Sequence, residues 1–449
     1  MEIIALLQCL DPVLTKTTIQ QFSRITVALL AMTGRVTMLG ISRWAGTGGS
    51  YRTVQRWFST VLPWAQLFWC FLRQHLLRPD EVYILAGDEV VVTKAGTQTF
   101  GLDRFFSSVQ QKTVPGLSFF VFSLVSTTQR RAFPLRVEQV VRTQAEKAAR
   151  QAQAQTPPPP ATTGKRKPGR PKGSKNQKKE EVTLSPELQR IQAMIQASLP
   201  LLAGSLALPY LALDGHFGHN AALQMTRRCG LHLISKLRSD AALFFPYEGP
   251  PPPRGPRRKY GDKGDYRHLP AQYLRQVTRE GEVETRTYQA QLLHKEFSQP
   301  LNVVILVKTN LRTQSWAHAL LFSSDLTLAW DRLLDYYRLR FQIEFNFRDA
   351  KQYWGLEDFM NISETAVTNA ANLSLFMVNV AYRLQRDLRP RDLEFSVLDL
   401  KAHYRGYRYV SETIKMLPQK PDENLVTEIY RRVSRLGSIH SPAAPFTAP

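Results

Sequence analysis

Cysteine is scarce in this sequence: Cys9, Cys70 and Cys229 are the only three in 449 residues, far apart and in no CxxC pair. That rules out a disulfide framework, argues against a structural zinc site and fits a reducing compartment. Long apolar runs are missing too. No stretch reaches the roughly 18 apolar residues of a membrane span, and the start, Met1-Glu2-Ile3-Ile4, lacks the basic residues of a secretory signal. A cytoplasmic protein with no membrane partner is expected. Acidic residues are few, 37 against 59 Lys and Arg, which leaves a formal charge of +22. Such an excess points to a polyanion, nucleic acid first. A membrane surface would require a basic amphipathic helix with an apolar underside, and no stretch reads as one.

The length exceeds one compact core and implies two or three domains. Residues 1–78 read as helical, with candidate helices at 17–32, 37–44, 50–59 and 63–77. The piece 38–59 reads either as a helix-turn-helix, with Arg52 and Arg56 on the helix facing DNA, or as a plain basic helical bundle. The pattern then changes at 81–92, an apolar strand with Asp88 and Glu89 in its middle. Burying Asp88 unpaired would cost several kcal/mol, so a metal or cation is a good reason for it, a sheet edge being the plainer one. Alternation sends Glu89 to the opposite face. Strands at 118–127 and 132–140 follow, completing an antiparallel start.

Residues 150–182 have the composition of a linker that cannot form a core. Eight basic and no acidic residues fall within 161–179. Pro168-Gly169-Arg170-Pro171, followed by Lys172, is similar to an AT-hook, which enters the narrow minor groove of A·T-rich DNA; a non-specific basic tether is the alternative. A helix at 185–198 precedes a second apolar strand from 208, which ends at Asp214 before a turn holding Gly215 and Gly218. Acids at the ends of such strands sit where α/β folds bind ligands. His216 and His219 read as polar turn residues before metal ligands. A helix at 220–229 and a strand at 231–237 close this part, 79–149 and 183–239. Residues 240–325 read as a β-rich insertion with strands at 276–279, 285–292, 302–308 and 318–322; helices at 326–390 and a helical tail at 391–449, with a helix at 426–436, follow.

The most informative stretch lies between Ser324 and Tyr353, which has neither Gly nor Pro and so reads as one helix. At about 100° per residue, Tyr337, Arg340, Glu344 and Lys351 share an arc of about 60°. Leu334, Phe341 and Phe345 flank it on one side, Ile343 and Phe347 on the other. A carboxylate among cations, between apolar stripes, suits a metal-binding acid surrounded by phosphate-binding groups. An ordinary salt-bridged helix is the alternative.

Asp88 in a strand, Asp214 at a strand's end and Glu344 in a helix resemble, in that order, the acids of the ribonuclease-H-like DDE transposases. Tyr337, two residues, Arg340, three residues, Glu344, six residues, Lys351 resembles in every residue and spacing the Tyr-Arg-Glu-Lys signature of the bacterial insertion-sequence transposases of the IS-four type. The resemblance covers roughly 80–385 and does not extend to the basic linker. It implies an α/β ribonuclease-H-like core with a β-rich insertion and a helical N-terminal DNA-binding domain. It implies that Asp88, Asp214 and Glu344 hold two Mg²⁺ or Mn²⁺ ions, and that Tyr337, Arg340, Arg348 and Lys351 meet the phosphates of double-stranded DNA. Trp316, in the insertion, is the candidate to stack on a flipped base, with a core role as the plainer reading. A homodimer that pairs two DNA ends, cuts them and joins them to a target is the implied assembly.

Overall fold

The structure is a computed structural model that describes residues 3–107, 110–155, 178–250, 258–388, 395–419 and 421–440. Arg170, Lys172 and the AT-hook-like motif lie outside the described residues. The chain opens with helices α1 (Ile3–Leu7), α2 (Lys16–Ala31), α3 (Met38–Trp44), α4 (Tyr51–Phe58) and α5 (Trp64–His75). Thr15, Thr37 and Ser50 cap α2, α3 and α4, each accepting a backbone N–H three residues on. The antiparallel strands β1 (Tyr83–Thr93), β2 (Asp103–Ser107), β3 (Lys112–Ser126) and β4 (Arg131–Gln139) follow. Helix α6 (Gln144–Gln155) runs into what the sequence suggested was linker. Next come α7 (Pro186–Leu202), β5 (Tyr210–Ala212), α8 (Asn220–Arg228) and β6 (His232–Leu237). Six more strands are β7 (Leu243–Pro246), β8 (Tyr260–Lys263), β9 (Leu274–Glu280), β10 (Val283–His294), β11 (Leu301–Asn310) and β12 (Trp316–Ser323). The chain closes with α9 (Trp330–Leu339), α10 (Gln342–Tyr353), α11 (Glu364–Leu388), α12 (Val397–Met416) and α13 (Glu423–Val433).

Among the described residues the strands form one large mixed sheet. Its central order is β4-β3-β1-β5-β6: β1 pairs antiparallel with β3 and parallel with β5, and β5 pairs parallel with β6. This mixed α/β arrangement is consistent with a ribonuclease-H-like fold. The strands from 240–325 do not stand apart from it. β12 pairs antiparallel with β6, so β12, β11 and β10 lengthen the same sheet.

Helix α11 joins the sheet to the N-terminal helices. It is buried along most of its length. Phe376 stands at its centre, with the rings of Phe22, Phe68 and Phe71 at 5.2, 5.4 and 5.1 Å. Buried Asn369 accepts from the Trp64 indole at 2.7 Å and donates to the Phe58 and Thr60 carbonyls at 2.7 Å each. A buried amide is stable only when so satisfied, so these bonds fix the register of α4 and α5 on α11. One continuous apolar core therefore runs from α1 to α12. No helix among the described residues is long and apolar enough to cross a membrane.

Candidate active site

The pairing of β1 explains where its acids stand. Towards β5 it is paired only at Leu85 and Ala86, because β5 stops at Ala212. Beyond Ala86 the strand borders an open cleft of about 760 Å³, which Asp88 lines. Glu89 lines it as well while keeping to the opposite face of β1, as alternation requires, beside Phe120 and Ser118 of β3. The Ser118 hydroxyl donates to Glu89, and burial raises the Glu89 carboxyl above the usual range.

Asp214 reaches the same cleft from the end of β5. It caps the short turn Gly215–Phe217, its carboxylate accepting the His216 N–H at 3.1 Å. The Ser235 hydroxyl donates to the Asp214 carbonyl at 2.6 Å. The turn packs against β6 so tightly that a Cβ at Gly218 would lie 2.1 Å from the Lys236 carbonyl oxygen, which only glycine allows. His216 lines the cleft beside Glu187, and the 3.3 Å contact between them raises the imidazole above its ordinary range. His219 is instead a cap, accepting from the Ala222 N–H.

Glu344 comes from the third element, and here the expected single helix is two. The break falls at Arg340 and Phe341, which keep helical dihedrals, while Ile343 and Glu344 donate to the carbonyls three residues back. This tighter, 3₁₀-like link separates α9 from α10 and places Glu344 in the first turn of α10. The apolar flanks also differ from expectation. Leu334, Ile343 and Phe347 are buried, but Phe341 and Phe345 are exposed and meet edge to face at 5.6 Å.

Arg340 governs the electrostatics. Its Nη1 donates to Asp88 Oδ2 at 2.9 Å, and its Nη2 is 3.9 Å from Glu344. Burial raises the Asp88 carboxyl, with Arg340 opposing and Asp214 adding to the shift. Burial likewise raises Glu344, again against Arg340. Lys351 lines the cleft while donating to the Val91 carbonyl at 2.9 Å and pairing with Glu357 at 3.1 Å. Arg348 lines it too, paired with Asp349 at 3.0 Å and lying over the Phe345 ring. Tyr337 is not among the lining residues; its ring centroid is 5.8 Å from the Arg340 guanidinium, and burial raises its phenol. Trp316 also lies outside the lining, stacked on His318 at 5.2 Å with Arg267 over its face. Arg52 and Arg56 are exposed on α4, whose Val54, Trp57 and Phe58 are buried.

Three carboxylates without a thiolate are the donor set of a hard divalent cation. Asp88, Asp214 and Glu344 line one cleft, and among the described residues no three His, Cys, Asp or Glu side chains are close enough to hold a metal. Like charges keep apart, and Arg340 is the counter-ion between Asp88 and Glu344.

The chain belongs to the DDE superfamily endonucleases, whose sequence pattern matches residues 6–299. Membership implies a transposase-like nuclease acting on DNA, and nucleases of this family typically use divalent metals. The matched span holds Asp88 and Asp214 and ends before Glu344. Comparison with curated proteins gave no match.

Proposed function

We propose that this endonuclease is a cut-and-paste transposase of the IS-four type, which binds the ends of a mobile element, cuts the DNA backbone and joins the freed 3′-OH ends to a target. The observation that carries the reading is one cleft lined by Asp88, Asp214 and Glu344 together with Arg340, Arg348 and Lys351. In this reading β4-β3-β1-β5-β6 with α10 form the ribonuclease-H-like core, strands from 240–325 the insertion, and residues 1–78 the DNA-binding part. The molecule works in the cytoplasm at the nucleoid, as a homodimer that holds two ends.

Asp88, Asp214 and Glu344 would hold two Mg²⁺ or Mn²⁺ ions. Such a pair, when bound, supplies an activated water or 3′-OH and stabilises the leaving oxygen. The chain's own part is positioning. Arg348, exposed at the cleft, and Lys351 hold the backbone phosphates beside the acids. Arg340 exchanges Asp88 for a phosphate, and Tyr337 behind it donates to the same group. Arg52 and Arg56 bind the duplex farther from the cut, Trp316 meets a displaced base, and Arg170 and Lys172 grip the minor groove.

The test is a reaction with a labelled transposon end, a supercoiled target and Mg²⁺. Asp88→Asn, Asp214→Asn and Glu344→Gln should each abolish cleavage, by at least about a thousandfold, while end binding persists. Retained cleavage by any one variant removes that residue from the site. Joined products support transposition; cut ends alone indicate a nuclease without strand transfer; no products from the wild type indicate a DNA-binding derivative.

A further inference from the structure

Sharing no lining residue with the cleft, a second cavity of about 710 Å³ lies between α2, the loop joining α3 to α4, and α12. Three cations line it, Arg24, Arg408 and Lys415, against one carboxylate. That carboxylate, Glu412, is shared by Arg408 at 3.3 Å and Lys415 at 3.0 Å. Arg24 has no ion pair or hydrogen bond among the described residues. The lining thus keeps an excess of positive charge.

Two features show a site rather than a gap. Ser23 lines the cavity at 7 % exposure, and its buried hydroxyl has no hydrogen-bond partner. A mid-helix serine commonly returns its hydroxyl to the carbonyl four residues back, and this one makes no such bond. The loop is also shaped around the guanidinium groups. Gly46 and Gly48 have φ of +69° and +80°, and a Cβ on them would lie 2.3 Å from Arg408 Nη2 and 2.8 Å from Arg24 Cζ. Glycine is required there both by the left-handed backbone and by the approach of the two arginines.

We propose that this cavity binds a nucleoside phosphate, its phosphate held by Arg24, Arg408 and Lys415 with Ser23 donating, and its base against Tyr404. The guanidinium fork matches phosphate oxygens. The volume is that of a small-ligand site and exceeds what a bare phosphate fills. Tyr404 and the aliphatic Ile3 and Val27 supply the apolar wall a base would cover. The nucleotide is either free or the unpaired terminal residue of a DNA strand. The same loop leads into α4, which carries Arg52 and Arg56, so a DNA end could reach it. The site holds whichever reaction the cleft performs.

The experiment uses the full chain and fluorescently labelled deoxyadenosine 5′-monophosphate, read by anisotropy. Saturable binding is expected, weakened at least about tenfold by Arg24→Ala and measurably by Ser23→Ala, and unchanged by Asp88→Asn. Displacement by unlabelled mononucleotide alone identifies a free nucleotide; displacement also by a duplex with a short 5′-phosphorylated overhang, but not by a blunt duplex, identifies a DNA end. Both support the site. It is overturned by the absence of saturable binding, by equal affinity in Arg24→Ala and Ser23→Ala that melt like the wild type, or by a blunt duplex displacing the probe as well as the overhang does. Since Asp88→Asn keeps the nucleotide and loses cleavage, failure here and failure of the nuclease reading are told apart.

Discussion

At the scale of single residues, Arg340 decides the state of the cleft. Its side chain is 12 % exposed and bonded to Asp88, and its Nε is buried without a partner. Such an arrangement is under-satisfied for an arginine, which forms five N–H donor bonds when fully served. What retains it is the negative charge of Asp88 and Glu344 on either side. A divalent cation among those acids would compete directly with the guanidinium. Arg340→Ala should therefore tighten Mn²⁺ binding, roughly three- to tenfold for a partly solvated pair worth about 1 kcal/mol, while reducing DNA cleavage. Titration calorimetry of the protein without DNA reads the first effect. Weaker or unchanged Mn²⁺ affinity would show that Arg340 supports the acids and does not compete at their site.

At the scale of elements, α12 is tied to the end of the described chain through Asp399. Burial pushes this carboxyl up, but bonds from His440, Ser396 and the Ile439 N–H outweigh it and hold it well below the usual carboxylate range. Its folded pKa is depressed, so the stability it contributes is present above about pH 4, its unfolded value, and is lost as pH falls through the folded value. Asp399→Asn should lower the melting temperature at pH 7, by roughly 2–4 kcal/mol of lost charge-assisted bonds, and the deficit should shrink in acid. A deficit that stays constant down to pH 2 would separate the effect from ionisation. Much of the element order was legible: α2 to α5, β1, β3 to β6 and the strands β9 to β12 follow apolar periodicity. The tail was legible as helical, with a helix at 426–436, but without bounds for α12, which contains Gly406. The structure shows the reason for that glycine: a Cβ there would lie 2.4 Å from the Val433 carbonyl oxygen, where α13 crosses. β7 and β8 were also missed, being four residues each beside a proline-rich stretch, and paired only through β10 and each other. In the cleft, the three acids and their strand, strand-end and helix settings could be read in order. The placing of Glu89 on the opposite face of β1 could be read as well; the break at Arg340, which no Gly or Pro announces, could not.

At the scale of the whole molecule, charge sets how the protein meets DNA. Of the formal +22, residues 161–179 hold eight positive charges and no negative ones, so 22 − 8 = +14 remains on the rest. The rest also places cations at two separated sites, Arg340, Arg348 and Lys351 in the cleft and Arg52 and Arg56 on α4. Each phosphate contact releases counter-ions, so affinity falls with salt at a slope that counts the contacts, about 0.9 per phosphate neutralised on a duplex. Deleting 161–179 should therefore lower that slope without removing it, since the folded part retains its own contacts. Base composition then separates the two roles of the deleted piece. Minor-groove insertion of Arg170 benefits from the narrow, strongly negative groove of A·T tracts, whereas a tether senses only backbone charge. Binding isotherms on A·T-rich and G·C-rich duplexes of equal length, each at several salt concentrations, measure both effects. Affinity for the A·T-rich duplex should fall severalfold more than for the other. Equal losses on the two would reduce the segment to a tether, and a slope that vanishes with the deletion would place the whole DNA footprint in those nineteen residues and none of it on the cleft or α4.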